Sequence, residues 1–163
     1  MRLNLGACDD HRPGYMNIDR WIPPRFRDRD DYQQWDLSRT PWPWPDSSVD
    51  EIFARDVFEH LPDIVATMNE SHRVLRSGGR LKLIVPTTVG YGADQDPTHK
   101  SRWNPNSLLY YTAGTFEHMR LREAYGISAA FKVIRSEHYR VSDKIQGGDP
   151  NVWYLDALLE AVK

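Results

Sequence analysis

Residues 62–86 read PDIVATMNESHRVLRSGGRLKLIVP. Pro62 suits the first position of a helix, where a missing N–H costs nothing. Val65, Met68, His72 and Leu75 then recur on one face at helical spacing. Ser77-Gly78-Gly79 predicts the helix stop, because glycine tolerates the left-handed turn found there. Arg80 to Pro86 follows at once as the clearest strand in the chain. A helix, a glycine stop and a strand in direct succession make half of a βαβ unit.

Working outward, Arg2-Leu3-Asn4-Leu5 alternates apolar and polar residues and halts at Gly6, which predicts a first strand. Tyr15 to Asp19 predicts a second strand ending in a carboxylate, and Val49 to Ala54 another. Arg20 to Tyr32 carries both charges around Pro23-Pro24 and reads as loop with one helical turn. Thr40 to Pro45 alternates proline and tryptophan, which forbids a helix and an interior strand. Thr87 to Trp103 is a long polar connection, the kind that carries function. Asn104-Pro105 predicts a cap for a helix through Ser107–Tyr111, and a second helix fits Gly114 to Tyr125. Phe131 to Val141 and Val152 to Val162 read as closing strands, although Tyr154 to Lys163 alone could be helical. The alternation argues for a mainly parallel sheet covered on both faces.

The chain has 163 residues, enough for one domain, 1–163, and too few for two of ordinary size. Lysine plus arginine (21) nearly balances aspartate plus glutamate (23), which argues against nucleic-acid binding through a basic face. The single cysteine, Cys8, excludes an internal disulfide and a cysteine-built zinc site. No apolar run approaches the ~20 residues of a bilayer span, and no signal-peptide pattern opens the chain. The expectation is a cytoplasmic protein with no membrane partner.

Open α/β sheets bind ligands beyond the carboxyl ends of their strands. Gly6-Ala7-Cys8-Asp9, Asp19, Trp35-Asp36-Leu37 and Arg55-Asp56 all fall at that edge. A glycine lets the backbone approach a ligand, and a carboxylate can accept both hydrogens of a ribose diol. The dinucleotide fingerprint G-x-G-x-x-G is missing two of its three glycines, Asp9 and Asp10 would repel a pyrophosphate, and no P-loop occurs. An acidic loop instead suits a ligand with positive charge.

The opening Leu3–Cys8 and Pro13–Asp19 segments resemble those of short class I S-adenosylmethionine-dependent methyltransferases. Asp36-Leu37 with Pro43-Trp44-Pro45-Asp46-Ser47-Ser48-Val49-Asp50 is similar to their "D-L … P-F-P-D-x-S-F-D" run. Glu59-His60-Leu61 and Glu70–Gly79 resemble the "E-H-L" and "E-x-x-R-V-L-K-P-G-G" segments of the type 11 group. Asp96-Pro97-Thr98-His99 with Trp103 is similar to a lid element of some relatives. The resemblance implies a three-layer Rossmann-like α/β fold whose seven-stranded sheet is mainly parallel with an antiparallel last strand.

It also implies S-adenosylmethionine as cofactor. Gly6, Ala7 and Cys8 would lie under its methionine part, Asp19 would hold the ribose, Asp36 and the Leu37 backbone would contact adenine, and Arg55 and Asp56 would flank the methionine end. Cys8 departs from the second glycine usual in relatives. Only nine residues separate Leu5 from Tyr15, fewer than the dozen or more of a crossover, so the first helix is expected to be shortened or missing. The acceptor, a small molecule or saccharide-like compound, would meet a lid and acceptor region at 87–127.

Methyl transfer needs a base only for a protonated acceptor, and His60 and His99 are the candidates, followed by Asp56 and Tyr110. No H-x-x-x-H spacing occurs, so no metal is expected. His72 reads as a core histidine and Cys8 as a small packing residue. The Pro41–Pro45 run reads as a connection packing its tryptophans near the cofactor, against the alternative of a polyproline ligand. A second reading is a non-catalytic S-adenosylmethionine-binding or scaffold protein. A nucleic-acid methyltransferase is disfavoured, since Asn104-Pro105-Asn106 does not supply its Pro-Pro-aromatic motif and no Pro-Cys nucleophile exists.

Overall fold

The computed structural model describes residues 1–114 and 116–163, with residues 116–119 described as backbone alone. Seven strands form one sheet: β1 (Arg2–Leu5), β2 (Met16–Asp19), β3 (Tyr32–Gln34), β4 (Val49–Arg55), β5 (Leu75–Pro86), β6 (Phe131–Arg140) and β7 (Trp153–Ala161). Their order is β3-β2-β1-β4-β5-β7-β6, parallel except that β7 runs antiparallel to β5 and β6. The helices are α1 (Ile64–Val74), α2 (Gly92–Gln95), α3 (Phe116–Ala124) and α4 (Val141–Lys144). No described helix is long and apolar enough to cross a membrane.

Strand alternation sorts the sheet into two unlike faces. Leu3, Leu5, Ile52, Ala54, Leu81 and Leu83 are all buried in one apolar core with Met68 and Val74 of α1. The alternate positions are more polar, with Asn4, Glu51, Lys82 and Asp156 beside Phe53, and Lys82 is ion-paired to Asp156. On this second face the cover is loop rather than helix. The Tyr15 hydroxyl donates to Glu51 Oε1 at 2.6 Å, and the Arg12 guanidinium lies 3.4 Å from the Phe53 ring centroid. The β1–β2 connection contains no helix, as its short length predicts, and the β2–β3 connection holds only a 3-10 turn at Pro24–Phe26.

Several local expectations are corrected. Helix α1 begins after Asp63, whose Oδ1 accepts the Ala66 N–H at 2.8 Å, so an aspartate cap and not Pro62 sets its start. The helix ends at Val74 because Leu75 already pairs with Val49. Gly78, at φ +72°, therefore lies within β5, where the register against β4 shifts, and is not a helix stop. Ser107–Tyr111 forms a 3-10 turn in place of the expected α-helix. Tyr32–Gln34 is a strand that starts where the Arg20 to Tyr32 stretch, read as loop, ends. Helix α3 fits the predicted second helix, while residue 115, within the expected acceptor region, lies outside the described residues.

Candidate active site

The strand order reverses between β1 and β4, and the two outgoing ends carry unusual backbone. Gly6, directly after β1, has φ +66°, Cys8 φ +35° and Asp56, directly after β4, φ +54°. Left-handed non-glycine residues are uncommon and gather at functional sites. Cys8 thus takes a glycine-like backbone without being a glycine. It is exposed, and its thiol is free.

Asp19 ties these ends together. Its Oδ2 accepts the Cys8 N–H and its Oδ1 the Trp21 N–H, each at 2.9 Å. A carboxylate has about four acceptor positions, so one lone pair on each oxygen remains for a ligand. The Asp19 carbonyl also receives the Trp35 N–H at 2.9 Å, which places Asp36 beside it at the end of β3. Asp36 Oδ1 accepts both the Ser38 N–H (3.0 Å) and its hydroxyl (2.7 Å). These bonds hold its carboxyl below the usual range and leave Oδ2 outward, 3.8 Å from Arg39. Leu37 is buried, and its carbonyl receives the Trp42 indole N–H at 3.1 Å. The acidic loop foreseen at Asp9 and Asp10 is neutralised by Arg25 at 2.6 Å and Arg12 at 3.1 Å.

Past β4 the chain turns through Asp56 and a 3-10 turn at Phe58–His60. The Asp56 carboxyl is pushed up by burial, against the opposing pull of Tyr154, Arg55, His60 and His99. Glu59 is 1% exposed, and neither of its carboxylate oxygens makes a well-formed hydrogen bond. Burial pushes its carboxyl up to about 8. The segment after α2 closes over this turn, with Lys100 and Ser101 donating N–H groups to the Glu59 carbonyl at 2.6 and 3.1 Å. His99 is thereby brought to His60, with ring centroids 4.8 Å apart in an edge arrangement.

Two cavities flank the region. One of about 490 Å³ is lined by Arg55, Asp56, Tyr139, Lys144, Asp149 and Tyr154. Another of about 410 Å³ is lined by Trp103, Tyr110, Tyr111, Tyr125 and Ile127 among others. Gly6, Asp19 and Asp36 line neither and form a shelf at the strand ends, while Arg55 and Asp56, also expected at the cofactor, line the first cavity. The fold brings together Gly6, Ala7, Cys8, Asp19 and Asp36 on that shelf, and Arg55, Asp56, His60 and His99 near its β4 end. Tyr110 belongs to the other cavity. Sequence reasoning missed Glu59, Tyr139 and Tyr154; only the first was signalled, by the Glu59-His60-Leu61 run.

The methyltransferase domain family matches residues 21–83. A 58-residue segment is 40% identical to 27-O-demethylrifamycin SV methyltransferase of Amycolatopsis mediterranei, covering 33% of this chain and 21% of that protein. The match thus spans about a fifth of that relative's length. Among solved structures, the chain superposes over 99% of its length on 71% of 1,6-didemethyltoxoflavin-N1-methyltransferase from Burkholderia thailandensis, with TM-score 0.64 and 15% identity. It superposes equally on 74% of the [4+2]-cyclase SpnF, with TM-score 0.62 and 15% identity. Across β3, β4, α1 and most of β5 the chain is thus similar to the type 11 methyltransferase domain, and its sheet has the Rossmann-like strand order of the superposed structures.

Proposed function

We propose that this protein transfers a methyl group from S-adenosylmethionine to a small-molecule or saccharide-like acceptor. The observation that carries the reading is Asp19, fixed at the β2 end by two backbone N–H groups while keeping a lone pair on each oxygen. That donor set fits a ribose diol. Asp36 Oδ2 and the Leu37 backbone supply the matching edge for adenine, and the Gly6-Ala7-Cys8 turn supplies a side-chain-poor floor. Arg55 and Asp56 flank the methionine end, where the cofactor's ammonium and sulfonium meet carboxylate.

The bound cofactor supplies an activated methyl carbon, and the protein's task is placement. The cavity between Asp56 and Tyr154 receives the acceptor, and Tyr139 stacks on Tyr154 at 5.9 Å to form a flat aromatic wall suited to a sugar or ring. Burial holds the Tyr154 hydroxyl protonated, so it positions the acceptor rather than deprotonating it. His60 and His99 stand closest to the role of base. The region 87–127, which lines the neighbouring cavity through Trp103, Tyr110 and Tyr125, serves as the lid in this reading.

Calorimetry with S-adenosylhomocysteine, followed by labelled-methyl transfer to a panel of hydroxylated small molecules, tests the reading. Absence of binding at millimolar ligand with folded protein overturns it. Binding without turnover on any acceptor favours the scaffold reading, for which the helix-free β1–β2 connection is the supporting observation.

A further inference from the structure

The geometry points to a divalent-cation site of the zinc class formed by Glu59, His60 and His99. The ligating atoms of these three residues lie within 4.8 Å of one another. Glu59 is 1% exposed, and neither oxygen makes a well-formed hydrogen bond, although the local Val57 and Glu59 N–H groups are near enough to favour its charged form. A buried carboxylate without a partner is unfavourable unless a cation compensates it.

The hydrogen bonds around the cluster set the imidazoles for coordination. His99 Nδ1 is 2.9 Å from the Ala93 carbonyl, which can only accept, so the ring hydrogen sits on Nδ1 and Nε2 carries a bare lone pair. The Thr98 hydroxyl donates its one hydrogen to Asp96 Oδ1 at 2.7 Å, so at 3.0 Å it accepts from His60 Nδ1. His60 Nε2 is therefore bare as well. Metal-bound histidines are held in this way, with the second nitrogen donating to a carbonyl or to a carboxylate-linked group. Asp96 Oδ2, 3.8 Å from His99 Nε2, adds negative charge beside the cluster.

Two imidazoles and one carboxylate with a position left open is the ligand set of catalytic zinc, and nitrogen ligands disfavour magnesium and calcium. Tetrahedral bonds of about 2.0–2.1 Å require donor atoms roughly 3.4 Å apart. The ion therefore draws the three groups together by small side-chain rotations. Glu59 and His60 share one turn, and two backbone N–H groups clamp the His99 segment to it, so the scaffold is already in place. Binding itself does not depend on the methyl-transfer reading. Its use does: a hydroxyl acceptor on the open position would lose its proton to solvent at neutral pH without an imidazole base.

The test titrates the full chain with Zn²⁺ alone by calorimetry, and with Co²⁺ followed by visible absorption, with Mg²⁺ as comparator. The expected result is one Zn²⁺ per chain, a raised Tm and the intense absorption of four- or five-coordinate Co²⁺. Glu59→Gln and His99→Ala should each weaken Zn²⁺ at least a hundredfold, and Thr98→Val about 10–100-fold through loss of His60 orientation. His138→Ala should leave it unchanged. Circular dichroism establishes that each variant is folded, and Thr98→Val keeps every ligand in place. No stoichiometric Zn²⁺ binding, or binding insensitive to both Glu59→Gln and His99→Ala, overturns the site. S-adenosylhomocysteine titrated into the same samples separates the two readings, since either ligand can bind when the other does not.

Discussion

Gly6 and Val57 compete for one volume: a β-carbon on Gly6 would come within 2.2 Å of Val57 Cγ2. The glycine ends β1 and the valine follows β4, so their contact sets how closely the two strand ends approach at the reversal of strand order. Gly6→Ala should lose about 1–2 kcal/mol from its left-handed backbone and a further ~1–3 kcal/mol from the clash. Val57→Ala introduced into Gly6→Ala should recover the second part only. Urea unfolding of the two single variants and the double variant checks this, and strict additivity would contradict it.

Asp19 has two duties, one to the backbone and one to the proposed ribose. Asp19→Asn retains one acceptor oxygen and should weaken S-adenosylhomocysteine about 10–100-fold, the worth of one or two hydrogen bonds to a charged group. Asp19→Ala should weaken it further and also lower Tm, because the Cys8 and Trp21 N–H groups lose their acceptor. Calorimetry alongside thermal unfolding separates the two effects.

Arg73 fastens the tryptophan run to α1. Its guanidinium donates to the Trp42 and Trp44 carbonyls at 3.1 Å each, to Asp46 at 2.6 Å, and to both Glu70 oxygens at 2.7 Å. Glu70 Oε2 in turn receives the Trp42 N–H at 2.5 Å. Arg73→Lys cannot reproduce this fork. Its expected cost is about 2–3 kcal/mol, less than the ~3–5 kcal/mol of breaking a fully buried pair, because the Arg73 side chain is 27% exposed. Red-shifted tryptophan emission, reporting the now buried Trp42 and Trp44 becoming wet, is the local readout.

Acid should unfold the protein in two windows. Burial holds His72 below its ordinary value, while its Nε2 donates to the Val162 carbonyl at 2.9 Å. The unfolded chain therefore takes up this proton first, and stability falls as pH drops below about 6.5. For Glu70, burial pushes upward, but Arg73 and the Trp42 N–H outweigh it and hold the carboxyl low. Its contribution is complete above about pH 4.3 and disappears as pH falls through the folded value. His72→Gln should flatten the decline between pH 6.5 and 5 and leave the lower window intact, as read from Tm against pH.

Much of the sheet is legible in the chain because apolar alternation is local. Leu3, Leu5, Ile52, Leu81 and Leu83 all face the core as their spacing predicts. Tyr32–Gln34 is illegible because two of its three residues are polar, and it exists through edge pairing with β2. Trp153–Ala161 is ambiguous taken alone and becomes a strand because β5 and β6 pair with it on either side. The proposed cofactor shelf is signalled in sequence by residues at strand ends. The burial of Glu59 is not, since the charged residue sits in a motif with no sign of what covers it.

The sequence by itself determined β1, β2, β4, β5 and the helix before β5, the aspartate at the end of β2 and the want of length for a first helix. Each follows from spacing, side-chain chemistry or chain reach over a few residues. Only the tertiary structure decided that Arg73 would grip Trp42 and Trp44, that Glu59 would be sealed from water, and that His99 would stand against His60. Those meetings depend on which distant segments close onto one another, and closure is governed by sheet pairing and burial across the whole chain, which no local pattern encodes.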